Sequence, residues 1–186
     1  ADALVLDALQ ALREAPKASL APYSMHDTRP MLHEMRVFKS ACEVAVMKTA
    51  GRISAAAHKR AMQFVKPGCY EYHLEAELHH SFAMQGARTP AYSTIVGSGE
   101  NGCILHYTEN SAQIKDGDLV LVDAGCEYQG YAADITRTFP ANGTFSKPQR
   151  DIYEWVLKAQ EAVLTTLGPG STLGEAMQQS AEVITE

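Results

Sequence analysis

The sequence has no run of about 18 uninterrupted apolar residues, the length a membrane-crossing helix needs. It has no excess of positive charge either: 16 lysines and arginines stand against 22 aspartates and glutamates, a net charge of -6. That balance excludes the basic footprint of a nucleic-acid binder. No block of like charge marks an interaction tail. The four cysteines, Cys42, Cys69, Cys103 and Cys126, are never closer than 23 positions, so there is no Cys-x-x-Cys pair for zinc or thiol redox chemistry. Without a secretory pattern they read as reduced thiols of a cytoplasmic protein, Cys103 and Cys126 being small core fillers. What remains is 186 residues, 46% of them hydrophobic, enough for a domain with a sizeable core.

The opening ADALVLDALQALREAP places Leu4, Leu9 and Leu12 on one side of a short helix that stops at Pro16. Pro16 is followed by KASLAPYSMHDTRPMLHEMR, which Pro22 and Pro30 interrupt and which reads as a connector. Residues 1–35 are thus expected to be a remnant helix and linker, and 36–186 the main domain. A long helix follows, with Ser40 and Glu43 at capping-box spacing. Val44, Met47, Ile53, Ala57, Ala61 and Phe64 form its expected core face, Gly51 permits close packing, and Pro67-Gly68 ends it. A second helix sets Tyr70, Leu74, Leu78 and Phe82 on one face and stops at Gly86. Strands are expected over STIVG, CILHY, LVLVDAG and YAADITRTF.

The pattern then restarts. KPQRDIYEWVLKAQEAVLTTLGPG predicts a long helix closed by a second Pro-Gly pair, and Thr172 and Glu175 open another at capping-box spacing. This is weak evidence of internal duplication, its second unit carried only as far as its helices. The chain is accordingly expected to be a fragment.

Asp123 and Asp134 lie eleven apart in LVLVDAGCEYQGYAADITRT. A two-residue turn at Tyr128-Gln129 puts Asp123 directly opposite Asp134 on one sheet face. Two like charges so placed need a shared proton or a divalent cation between them, and paired carboxylates suit a two-metal site. The competing reading is a turn-capping aspartate and a solvated one. Thr136 shares the face of Asp134 and can hydrogen-bond a ligand carboxylate. The histidines of YHLEAELHH lack the HxxxH pair of a zinc site and read as surface or interhelical groups; His26, His33 and His58 take no role. GSGENG lacks the lysine of a phosphate loop and reads as a tight turn.

ENGCILHYTEN, GDLVLVDAGCEY and GYAADITRTFP closely resemble stretches of the pita-bread metallopeptidases, in particular the bacterial Xaa-Pro aminopeptidases, over about residues 36 to 186. The resemblance implies an α+β pita-bread fold, present as its first α/β repeat plus the opening helices of the second. It implies that Asp123 chelates one metal ion and Asp134 bridges two, usually manganese. It further implies that His106 donates a hydrogen bond to the substrate or its tetrahedral intermediate, and that Tyr92 lines the substrate cleft. Three further family ligands, a histidine and two glutamates, have no matching position in this chain. The implied parent protein hydrolyses the bond between an N-terminal residue and proline, takes peptides with proline second, and forms a homo-oligomer. The fragment alone is expected to be inactive. A prolidase-type dipeptidase and a non-catalytic peptide-binding relative are the alternatives.

Overall fold

The computed structural model describes residues 2–14, 22, 24 and 26–185. The chain divides into two compact units, Ala1–Cys42 and Glu43–Glu186. In the first, α1 spans Asp2–Glu14. The expected stop at Pro16 and much of the connector lie outside the described residues. The end of that connector is not a linker but a helix, α2 (Arg29–Val37). Pro30 lies in its first turn, where a missing N–H costs nothing because no intrahelical acceptor exists there. Asp27 adds a start signal by accepting the Arg29 N–H at 2.9 Å.

α3 (Ala41–Phe64), all but its first two residues in the second unit, and α4 (Glu71–Met84) precede the strands β1 (Thr89–Pro90), β2 (Ile95–Ser98), β3 (Leu119–Ala124), β4 (Cys126–Tyr128), β5 (Tyr131–Ala132) and β6 (Ile135–Pro140). All pairings are antiparallel and make two three-stranded sheets, in the orders β2-β3-β6 and β1-β4-β5. The core joins α3, α4 and the buried face of β3, which carries Val120, Val122 and Ala124.

The core face of α3 differs from expectation. Ala50, Ile53, Ser54, Ala57, His58 and Ala61 are buried, whereas Val44, Met47 and Phe64 are exposed. Small side chains let a helix lie close to a sheet, so the stripe of alanines and not the bulkiest residues faces inward. Gly51 meets open space and serves no close approach. On α4 the expected face holds: Leu74, Leu78 and Phe82 are buried, and Gly86 follows the helix at a φ of 91°. Cys126 is buried, but Cys103 is exposed and is no core filler.

The segment CILHY is not a strand. Gly99–Cys103 form a 3₁₀ turn, and Ile104 and Leu105 project into solvent. The backbone doubles back so closely that a Cβ on Gly97 would stand 2.9 Å from Asn101. That return leaves a short apolar run no sheet partner.

After β6 come α5 (Lys147–Thr166) and α6 (Leu173–Thr185). Ser146 and Gln149 cap α5 reciprocally, and Thr172 and Glu175 do the same for α6. Each long helix is followed by a left-handed glycine before the next: Phe64, Gly68, Glu71 and Thr166, Gly170, Leu173, with φ of 93° and 94°. The two helix junctions therefore share one local geometry.

Candidate metal centre

The hairpin register sets the site. Tyr128 pairs with Tyr131, and Asp123 pairs with Thr136. Asp123 does not lie opposite Asp134, as a Tyr128-Gln129 turn requires. The turn is centred on Gln129 and Gly130, at φ 49° and 84°, two left-handed residues as in a type I′ hairpin. Glycine accepts that conformation freely and tyrosine does not, so Gly130 decides the turn. The shift is by two residues, and a two-residue shift keeps every side chain on its face. Asp134 becomes the diagonal neighbour of Asp123, just before β6.

The diagonal pair is nonetheless close. The Tyr92 hydroxyl lies 2.5 Å from Asp123 Oδ1 and 3.1 Å from Asp134 Oδ1. The two carboxylate oxygens are therefore no farther apart than those two bonds laid end to end. The closeness comes from a pinch in the hairpin. A Cβ on Gly125 would fall 1.7 Å from the Ala133 carbonyl oxygen, a contact open only to glycine. Ala133 N–H donates to Cys126 at 2.9 Å on one side of the pinch, and Ala91 N–H donates to Gly125 at 2.9 Å from the segment that carries Tyr92.

Both carboxylates lie outside every ion pair among the described residues. The hydroxyl of Tyr92 has one proton to offer two acceptors. Burial raises the pKa of that phenol, and its bonds to Asp123 and then Asp134 raise it further, so it stays a donor. Hard carboxylate oxygens at this spacing fit a divalent cation such as manganese or magnesium. Among the described residues no group of three or more His, Cys, Asp or Glu side chains is placed to hold one. The hairpin brings two carboxylate oxygens together, and Thr136 stands across the ladder from Asp123.

His106 sits in an exposed turn at φ 55°, not at the end of a strand. Its neighbour Tyr107 is buried and donates to Glu71 at 2.8 Å. Glu71 is fully buried and also accepts bonds from Ser98, Asn101 and Ala112. Burial alone would raise its pKa, but those hydrogen bonds outweigh it and hold the carboxyl below the ordinary 4.5. A depressed folded-state value adds stability above the unfolded pKa, lost as pH falls through the folded one. Between about pH 5 and 3, unfolding free energy should therefore fall more steeply in the native chain than in Glu71→Gln. Urea midpoints across that range measure it; equal slopes would remove Glu71 from the acid response.

Two residues without an expected role lie beneath the site. His58 is 3% exposed and its Nε2 bonds the Ala124 carbonyl at 2.9 Å, while Nδ1 is buried without a partner. Burial lowers its pKa, so the ring is neutral and donates through Nε2. Ser54 Oγ accepts the Cys126 N–H at 3.0 Å. Together they clamp the backbone on both sides of Gly125. Their position in the stripe Ser54, Ala57, His58, Ala61 was the available signal of burial.

Residues 45–186 match the family model of metallopeptidase family M24. The chain is 55% identical over 185 residues to Xaa-Pro aminopeptidase of Escherichia coli (strain K12), covering 99% of this chain and 42% of that protein. It is 41% identical over 165 residues to Xaa-Pro dipeptidase of Mus musculus, covering 85% and 34%. A solved E. coli aminopeptidase P variant in complex with substrate superposes with a TM-score of 0.94 over 98% of this chain and 42% of its own, at 55% identity. The chain thus spans about two fifths or less of the length of these relatives. Its helices and sheets form part of the pita-bread fold. The chain belongs to metallopeptidase family M24.

Proposed function

We propose that the parent protein hydrolyses the bond between an N-terminal residue and proline at a dinuclear metal site to which Asp123 and Asp134 are ligands. The convergence of both carboxylates on the Tyr92 hydroxyl carries this reading. It is supported by identity to an E. coli protein named Xaa-Pro aminopeptidase. When bound, two divalent ions supply the Lewis acidity that polarises a carbonyl and acidifies a water. Manganese suits the oxygen donors; a Zn-substituted E. coli aminopeptidase P is among the matching structures.

This chain's residues have separable tasks. Asp123, anchored in β3, and Asp134, just before β6, would hold the metal ions. Tyr92 fixes the carboxylate rotamers by donating to them, and lines the cleft where a peptide enters. Thr136 orients Asp123 from across the ladder. His106, on its exposed turn, donates to the oxygen that gains charge as the carbonyl is attacked. A proline amide offers no N–H, so recognition of the scissile bond rests on cleft shape. Residues 36–186 are the catalytic portion, in a cytoplasmic protein that forms a homo-oligomer in its complete form.

Two carboxylates hold manganese weakly, so the 186 residues alone should bind no stoichiometric ion pair and release no amino acid from an Xaa-Pro peptide. The parent protein should do both. Titration calorimetry with manganese, together with a peptide-release assay on both polypeptides, tests this; turnover by the 186 residues at the parent's rate would show that the ligands were misassigned. The mouse relative named Xaa-Pro dipeptidase supports a second reading in which the substrate is a dipeptide. Comparing Xaa-Pro with Xaa-Pro-Xaa in the same assay separates the two.

A further inference from the structure

One face of α4 carries three polar residues at intervals of four, and each bonds to a segment beside the site. Glu71 Oε1 accepts Ser98 N–H at 2.8 Å, Ser98 Oγ at 2.8 Å and Asn101 Nδ2 at 3.1 Å; Oε2 accepts Tyr107 OH at 2.8 Å and Ala112 N–H at 2.9 Å. Glu75 accepts Asn110 Nδ2 at 2.9 Å. His79 Nε2 meets Thr94 Oγ1 at 2.8 Å, two residues past Tyr92.

Glu71 has the widest reach. Its single carboxylate ties the start, middle and end of the loop 98–112, and Asn101 also donates to Tyr107 OH at 3.0 Å. Between these ties the chain is bare: Ile104 is 55% and Leu105 86% exposed, and His106 follows at φ 55°. A left-handed non-glycine residue is unfavourable and persists only where its flanks are held. Packing does not hold this tip. The anchored flanks do.

We infer that Glu71 is a positioning residue, whose buried carboxylate holds the left-handed turn that presents His106. The inference rests on the reading of His106 as a substrate-facing donor. Glu71→Gln tests it closely, because an amide retains the shape yet turns an N–H₂ toward donors that need an acceptor.

The experiment uses the manganese-loaded parent protein with Glu71→Gln, Tyr107→Phe, His106→Ala and the double variant Glu71→Gln/His106→Ala. Hydrogen exchange in Glu71→Gln should speed up at least about tenfold over residues 102–108 while β3 and β6 keep their protection. With an Xaa-Pro peptide, kcat should fall about 10–100-fold, as for other outer partners of site residues, with KM changed less than about threefold. The double variant should be no slower than His106→Ala, since two residues acting through one group do not add. Unchanged exchange at 102–108, loosening spread equally over the domain, or additive losses would overturn the inference. If Glu71→Gln fails to fold, Tyr107→Phe replaces it, removing one hydroxyl and leaving the backbone donors in place. If the wild type does not cleave Xaa-Pro peptides, the functional reading fails on its own and the exchange measurement still decides whether Glu71 holds the turn.

Discussion

Asp134→Ala in the parent protein should lower kcat/KM toward an Xaa-Pro peptide by about 10³-fold or more, with no loss of stability in the metal-free state. The first half follows from the role of the carboxylate. Metal ions stabilise charge in the transition state by several kcal/mol, and about 4 kcal/mol corresponds to about 10³ in rate. On the proposed reading, an alanine leaves the metal site one carboxylate short. The second half follows from the electrostatics of the hairpin. Asp134 is exposed, and it faces another carboxylate, Asp123, through one shared hydroxyl. Without metal, removing one of two converging charges relieves repulsion, so the midpoint of thermal unfolding should be equal or higher. Function and stability then move in opposite directions, as they do where a site stores strain. Thr136→Ala, which removes the hydroxyl and the methyl group across the ladder, should cost about 10–100-fold. Manganese titration, steady-state kinetics and metal-free melting check the three parts. Full activity in Asp134→Ala would dismiss the carboxylate pair as a metal site.

Gly125→Ala should destabilise the domain by at least about 3 kcal/mol, the upper range for forcing extra atoms into a packed interior. The added Cβ would fall 1.7 Å from the Ala133 carbonyl oxygen and 2.4 Å from its carbon, both backbone atoms with no rotamer to escape through. The strands must part, and the 2.9 Å bond from Ala133 to Cys126 goes with them. Asp134 follows Ala133 in the chain, so the same displacement carries it away from Asp123. Manganese affinity should fall along with stability. Urea unfolding and metal titration on the same variant measure both. Native-like stability in Gly125→Ala would mean that the pinch relaxes easily and does not position the carboxylates.

Some of the fold could be read directly. Leu74, Leu78 and Phe82 are spaced for a helix face and are buried together. Thr172 and Glu175 cap α6 as their spacing predicts. Elsewhere local patterns misled. Pro30 resembles a breaker but begins α2. CILHY has the composition of a strand but no neighbour to pair with, because Glu71 draws its flanks onto α4. Val44, Met47 and Phe64 have the hydrophobicity of a core face, while the buried stripe of α3 is Ala50, Ile53, Ser54, Ala57, His58 and Ala61, most of them small.

The carboxylate pair shows where sequence stops and tertiary structure takes over. Alternation along a strand has a period of two, so any even register leaves Asp123 and Asp134 on one face; that much the sequence determined by itself. Which even register forms depends on Gly130, whose left-handed φ closes the turn one position later than Tyr128-Gln129 would. The separation of the two carboxylates depends on groups far away in the chain. Ser54 and His58 hold the backbone around Gly125 from α3, and Tyr92 crosses from the segment before β2 to bond both oxygens. Sequence specifies the chemistry of a side chain and the face it takes. Distances of a few ångströms between side chains are set by packing among segments that no local pattern relates, and here they were decided only when α3, the Tyr92 segment and the hairpin came together.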